Sequence, residues 1–178
     1  MQATKKNKSN GFRPDFIAAT VIDIDYMQLS KMNIKAIAFD VDGTLINHGH
    51  MDIDAAYADT LTKRIHGAGI SIIILASNTK RSLDVIGRKL SVNGIVTVQE
   101  GIKKPQKAFY QKILAHAKLK PENIAMVGDR PLQDIWGANK SGLYSIAIKA
   151  NKFNSKVETM IGRNYWQPKI VSILRYFP

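Results

Sequence analysis

The chain is 178 residues long, 45% hydrophobic and 22% charged, a composition that suits one domain and excludes a disordered polymer. It contains no cysteine, which excludes a disulfide scaffold and thiol catalysis and fits a reducing cytoplasm. Twenty-six Lys and Arg against 14 Asp and Glu leave a net charge of +12. Such a field favours an anionic partner: nucleic acid, an acidic membrane surface or a phosphorylated substrate.

Residues 1–10 carry Lys5, Lys6 and Lys8 and no acid, and read as a frayed leader. The apolar stretch 16–22 ends too early, at Asp23 and Asp25, to be a secretory signal. Residues 35–40 form a β-type run ending in acid. Residues 54–66 carry Ala55, Ala58, Leu61 and Ile65 at helical spacing, with Gly67 and Gly69 beyond them, a helix with its stop signals. Residues 70–76 are apolar and β-branched but for Ser71, the mark of a strand covered on both faces; the run is about a third of the roughly 20 residues a membrane span needs. A polar-faced helix is predicted at 79–90, a strand at 94–98, a helix at 105–117, strands at 124–128 and 144–148, and a helix at 131–140 between those two. Five strands alternating with helices predict an α/β fold, a doubly wound parallel sheet. Residues 1–34 are expected to be a basic leader and a segment packing on or beside a core domain at 35–178.

In such sheets ligands bind beyond the carboxyl ends of the strands, so the residues there carry the functional reading. After the first strand come Asp40, Asp42 and Thr44, with Gly43 permitting a sharp turn; two carboxylates two apart in extended chain point the same way, one suited to attack or metal binding and one to proton transfer. After the second come Ser77 and Asn78, a hydroxyl and an amide at a helix opening, suited to an anion. Lys104 precedes the helix after the third strand. Asp129 follows the fourth, with Asp134 five residues on. Asp23-Ile-Asp25 and Asp52-Ile-Asp54 repeat the acid spacing but lack the Gly-Thr turn or a preceding strand.

The ordered set Asp40-Val-Asp42-Gly43-Thr44, Ser77, Lys104, Gly128-Asp129 and Asp134 resembles the four motifs of the haloacid dehalogenase (HAD) superfamily of phosphohydrolases. The resemblance implies that Asp40 attacks phosphorus to form an aspartyl phosphate and that Asp42 exchanges protons with the leaving alcohol and with water. It also implies magnesium held by Asp40, the Asp42 carbonyl and Asp129, with Asp134 a ligand or a support. Thr44, Ser77, Asn78 and Lys104 would hold the phosphoryl oxygens. The 32 residues of 45–76 and the 26 residues of 78–103 leave no room for an inserted cap domain, so the site is expected to be open, suiting a phosphate on something large or a self-associating chain.

Within the capless group, subclass IIIA, the chain is similar to the YqeG-like branch related to phosphatidylglycerophosphate phosphatases. Arg13-Pro-Asp15, Lys104-Pro105 with Lys107-Ala-Phe109, Ile135, Gly137-Ala-Asn139 and a basic C-terminal helix carry that likeness; Gly43, where that branch often has Asn, and Arg130-Pro131 depart from it. The expected reaction is magnesium-dependent dephosphorylation of phosphatidylglycerophosphate, with the protein cytoplasmic and peripheral on the inner face of the membrane and no stable nucleic-acid partner. The alternatives are a phosphatase for a soluble sugar phosphate or nucleotide, and a nucleic-acid-associated phosphatase or binding protein. Lys103, Lys104, Lys107, Lys112, Lys118 and Lys120, the six cations from Lys149 onward, and Tyr165, Trp166, Tyr176 and Phe177 are the expected contacts to an anionic bilayer, with Phe12, Phe16 and Ile17 as apolar anchors.

Overall fold

A computed structural model describes residues 11–148. The chain runs β1 (Phe16–Ala18), α1 (Tyr26–Lys31), β2 (Ala36–Phe39), α2 (Ala55–Gly67), β3 (Ile72–Ala76), α3 (Asp84–Lys89), β4 (Gly94–Val96), α4 (Lys107–Ala117), β5 (Ile124–Gly128), a π-helical turn (Pro131–Trp136) continuing into α5 (Gly137–Lys140), and β6 (Tyr144–Ile148). All strands pair in parallel, in the order β1-β6-β5-β2-β3-β4. The chain winds outward from β2 through β3 to β4, then crosses to β5 on the other side. β2 is therefore the switch point at which a crevice opens.

The period-2 alternation of the strands divides the interior in two. Ile37, Phe39, Ile73, Leu75, Ala125 and Val127 face one way, against Leu29 of α1, Ala58, Leu61 and Ile65 of α2 and Ile86 of α3. Ala36, Ala38, Ile74, Ala76, Ile124 and Met126 face the other way, against Phe109, Tyr110 and Ile113 of α4 and Ala138 of α5. Burial on both faces is why the central strands read as continuous apolar runs rather than alternating ones.

Three predicted elements differ. The sheet has six strands, not five: Phe16–Ala18 pairs with Ile146–Ile148. A strand of three residues has too little pattern of its own, and its partner lies about 130 residues away. Phe16 and Ile17, partly buried, accordingly pack against the interior clusters, and Phe12, also partly buried, stacks on Trp136 with ring centroids 6.2 Å apart. The predicted helix at 79–90 shrinks to Asp84–Lys89. The Thr79 hydroxyl accepts from Arg81 N at 3.2 Å and the Ser82 hydroxyl from Asp84 N at 3.2 Å, and short polar side chains that bond nearby backbone compete with helix. Finally, residues 131–136 adopt a wider turn, in which Ile135 N donates to the Arg130 carbonyl five residues back at 3.3 Å. The six C-terminal cations and the four C-terminal aromatics named above, like the leader at 1–10, lie outside the described residues.

Candidate active site

Strand register builds the site. Phe39 sits level with Leu75 on one side and Val127 on the other, and Asp40 N donates to the Val127 carbonyl at 2.9 Å. Asp40, Ser77 and Asp129, each just past its own strand, are thereby gathered at one edge of the sheet. Asp40, Asp129 and Asp134 have carboxylate oxygens within 4.8 Å of one another, all buried. Three buried carboxylates repel one another and each has lost water, so the group holds together only with positive charge among them.

Lys104 supplies part of it. Its ammonium donates to Asp40 Oδ1 at 2.7 Å and to Asp134 Oδ1 at 2.6 Å and is itself buried. Burial pulls the Lys104 pKa down, but Asp134 and Asp40 outweigh it, and the net shift is upward; the lysine stays charged. The loop that carries Lys104 is fixed by Asn78, whose side-chain amide donates to the Lys104 carbonyl at 3.0 Å and accepts from Lys104 N at 2.7 Å. A third bond, from Asn78 to Gln133 Oε1 at 3.1 Å, occupies its second N–H. Expected as a phosphate contact at a helix opening, Asn78 instead sits on a loop, because the helix starts only at Asp84, and its amide positions Lys104.

Asp134 reaches the cluster through the π-helical turn, which folds its carboxylate back over Gly128 and under Arg130 N (2.9 Å to Oδ2). A Cβ at Gly128 would collide with that carboxylate. Gly43, at φ +91°, makes the turn after Asp42, and a Cβ there would stand 2.7 Å from Asp129 Oδ2. Glycine is required at both positions, by close approach at Gly128 and by close approach and positive φ at Gly43. Thr44 Oγ1 donates to Asp40 Oδ2 at 3.4 Å, and Ser77 is buried directly after β3.

Asp129 differs from its neighbours. Both of its carboxylate oxygens are buried without a hydrogen-bond partner; Arg130 Nε stands 3.7 Å away and His48 Nε2 4.0 Å. Burial first, then the charges of Asp134 and Asp40, push its pKa up to about 8, against the opposing pull of Arg130 and Lys104. Burial and Asp40 also raise Asp134, to about 6, against Lys104. Buried carboxylate oxygens without a hydrogen-bond partner, beside two more carboxylates, are hard donors of the kind a magnesium ion takes.

Asp42 is not in that cluster. Its carboxylate, 33% exposed, turns to the mouth of the site and accepts from Arg81 Nη2 at 2.6 Å; only its backbone carbonyl remains available as the expected ligand. The look-alike acid pairs are structural: Asp25 caps α1 by accepting from Gln28 N and Asp54 caps α2 by accepting from Tyr57 N, while Asp23 bonds Thr20 and Asp52 pairs with Lys89. Sequence reasoning missed Arg81, His48 and the Arg130 contact to Asp129. Nothing in the pattern separates these from the other cations, since their partners are set by how the loops fold. A cleft of about 570 Å³ opens beside Gly43 and Thr44, walled by Asn47, His50 and Tyr57.

Comparison with known proteins agrees with the geometry. Residues 101–171 match the family model described as HAD-hydrolase-like. The chain is 23% identical over 158 residues to the Probable phosphatase YqeG of Bacillus subtilis, covering 84% of this chain and 89% of that protein. A shorter match, 41% identical over 54 residues, is to the glyceraldehyde 3-phosphate phosphatase of Pyrococcus furiosus and covers 30% of this chain and 22% of that enzyme. Among solved structures, a HAD-superfamily hydrolase from Ehrlichia chaffeensis superposes with a TM-score of 0.51 at 15% identity, over 73% of this chain and 97% of that one. Motif order and these matches concur in making the chain similar to hydrolases of the haloacid dehalogenase type, and the sheet shares their fold.

Proposed function

We propose that the protein is a magnesium-dependent phosphomonoester hydrolase working through an aspartyl phosphate on Asp40, and that its substrate is phosphatidylglycerophosphate. One observation carries the reaction type: the Asp129 carboxylate, buried without a hydrogen-bond partner, beside Asp40 and Asp134 at the switch point of the sheet. Asp40, Asp129 and the Asp42 carbonyl would hold the ion, with Asp134 beside them; its charge would offset that of the phosphoryl group.

An Asp40 carboxylate oxygen forms a bond to phosphorus as the ester P–O bond breaks. Lys104, held between Asp40 and Asp134, has one N–H left for a phosphoryl oxygen, and Ser77 and Thr44 line the same strand ends. Asp42 gives its proton to the departing alkoxide, then takes one from the water that attacks the aspartyl phosphate. Inorganic phosphate leaves and both aspartates return to their starting state.

The YqeG match supports the phosphatase reading; the lipid reading rests on the motif resemblance drawn from the sequence and on a chain with a single helix and strand in each of the spans 45–76 and 78–103, which leaves the strand ends uncovered. A soluble sugar phosphate is the second reading, favoured by the local match to a glyceraldehyde 3-phosphate phosphatase, less than a quarter of whose length is spanned. The test is phosphate release by the purified full-length chain from phosphatidylglycerophosphate in mixed micelles and from glyceraldehyde 3-phosphate, with magnesium and with EDTA. The lipid is expected to be hydrolysed with the higher kcat/KM, only with magnesium, and Asp40→Asn is expected to fold yet release phosphate at background rate. Turnover of the sugar phosphate alone would select the second reading; activity surviving in Asp40→Asn would remove Asp40 as nucleophile.

A further inference from the structure

Arg81 lies outside the four motifs, yet it is the side chain that grips Asp42. Its Nη2 donates to Asp42 Oδ1 at 2.6 Å, and its Nη1 donates to the His50 carbonyl at 3.3 Å and stands 3.4 Å from the Met51 sulfur. It belongs to the mouth of the site, 19% exposed, rather than to the buried cluster around Asp129. That location fixes which part of a substrate it faces. In an in-line displacement the attacking and departing oxygens lie on opposite sides of phosphorus. Lys104, bonded to Asp40, stands with the nucleophile. Asp42 must reach the departing oxygen to protonate it, so a group bonded to Asp42 stands beside the leaving alcohol.

A guanidinium carries five N–H donors in a planar fork matched to phosphate. The contacts to Asp42, His50 and Met51 take three at most, leaving at least two. Met51, against the same guanidinium, is 71% exposed, the highest value among the exposed large apolar side chains of the described residues. Asp42 thus bonds Arg81, and Arg81 in turn touches Met51, so proton donor, cation and exposed apolar side chain stand in contact in that order.

We infer that Arg81 is a specificity-determining residue that binds a second anionic group, a phosphate or phosphodiester, carried on the leaving alcohol about one glycerol length from the scissile bond. The inference rests on the phosphatidylglycerophosphate reading, whose leaving group carries a phosphodiester across a three-carbon glycerol and then acyl chains, in the order that Arg81 and Met51 present. A neutral sugar as leaving group would give Arg81 no anionic group to bind.

The experiment compares glycerol 3-phosphate, whose leaving alcohol is neutral, with glycerol 1,3-bisphosphate, whose leaving alcohol carries a phosphate. Both are soluble, and phosphatidylglycerophosphate in mixed micelles is the lipid arm; KM and kcat are measured for wild type, Arg81→Gln and Arg81→Lys. A charged hydrogen-bonded contact changes binding by roughly ten- to a hundredfold, so wild type should show a KM at least about tenfold lower for the bisphosphate. Arg81→Gln should bring the two KM values to within the factor of about two expected statistically from two equivalent phosphates, and Arg81→Lys should fall between. An unchanged KM ratio in Arg81→Gln, with kcat falling equally on both, would mean that Arg81 serves Asp42 alone and would overturn the inference. Absence of a preference in wild type would overturn it without reference to any variant. Preference for the bisphosphate with no release from the lipid would refute the lipid reading and leave the Arg81 subsite standing, whereas no turnover of any of the three would refute the phosphatase reading itself.

Discussion

At Asp129 the cost of building the site is concentrated in one side chain. A carboxylate in an unfolded chain ionises near pH 4, whereas in the fold burial and two neighbouring carboxylates raise Asp129 to about 8 and Asp134 to about 6. Between about pH 4 and 8 the folded chain therefore holds protons that the unfolded chain has released, so these two groups make stability fall as pH rises through that window. A divalent cation on the ionised carboxylates reverses the trend, because it competes with those protons. We expect the thermal midpoint in EDTA to decline between pH 5 and pH 8, and the upward shift produced by saturating magnesium to be larger at pH 8 than at pH 5. Asp129→Asn, which cannot ionise, should lose most of both effects. A magnesium shift of equal size at the two pH values, or one that persists in Asp129→Asn, would place the ion elsewhere. Scanning fluorimetry of the full-length chain reads all of these quantities.

Those residues stand together because of how two elements end. β5 finishes in Gly128, and the π-helical turn brings the Asp134 carboxylate back onto that glycine, close enough that a Cβ at residue 128 would overlap it. Gly128→Ala should therefore destabilise the fold by about 1–3 kcal/mol, as overpacking does, and weaken magnesium binding at the same time, since the group displaced belongs to the cluster. Gly67 at the end of α2 has open space where its Cβ would be; Gly67→Ala should be neutral or stabilise by up to about 0.5–1 kcal/mol through helix propensity, with metal affinity unaltered. Calorimetric melting and magnesium titration of the two variants separate the outcomes, and a metal affinity unaltered in Gly128→Ala would detach Asp134 from the ion site. What could be read in advance follows the same division. The central strands were legible because burial on both faces writes them as unbroken apolar runs, and Asp40, Ser77 and Asp129 were legible because each stands one residue past such a run. The three-residue strand at Phe16 was not, since only its pairing with β6 defines it, nor was the π-helical turn, whose i+5 bond leaves no periodic trace in six residues. Asn78 and Asp42 were found as residues, but their partners, the Lys104 backbone and Arg81, arise from loops whose paths no local pattern encodes.

Across the molecule, charge and shape bear on where the reaction takes place. No helix among the described residues is long and apolar enough to cross a membrane. α4 turns Phe109, Tyr110, Ile113 and Ala117 inward, which leaves Lys107 exposed on its outer side. Lys103, also exposed, immediately precedes Lys104, so both cations flank the point at which Lys104 enters the carboxylate cluster. Lys112 is less free, with its ammonium on Gln99 at 2.9 Å, so the pair that best tests docking is Lys103 and Lys107. An anionic bilayer attracts each nearby Lys by about 1 kcal/mol. Reversing both charges should therefore weaken binding to vesicles of anionic lipid by at least about 2 kcal/mol, or some thirtyfold. Raising salt from about 0.1 M to 1 M, which shortens the screening length from about 10 Å to about 3 Å, should do the same to the wild-type chain. The decisive comparison is between substrates. Lys103→Glu with Lys107→Glu is expected to depress hydrolysis of vesicle-borne phosphatidylglycerophosphate far more than that of glycerol 1,3-bisphosphate, since the soluble substrate reaches Arg81 and Asp40 without a docked surface. Equal losses on both would mean that these lysines act on the site itself, and the bilayer would have no part in their role.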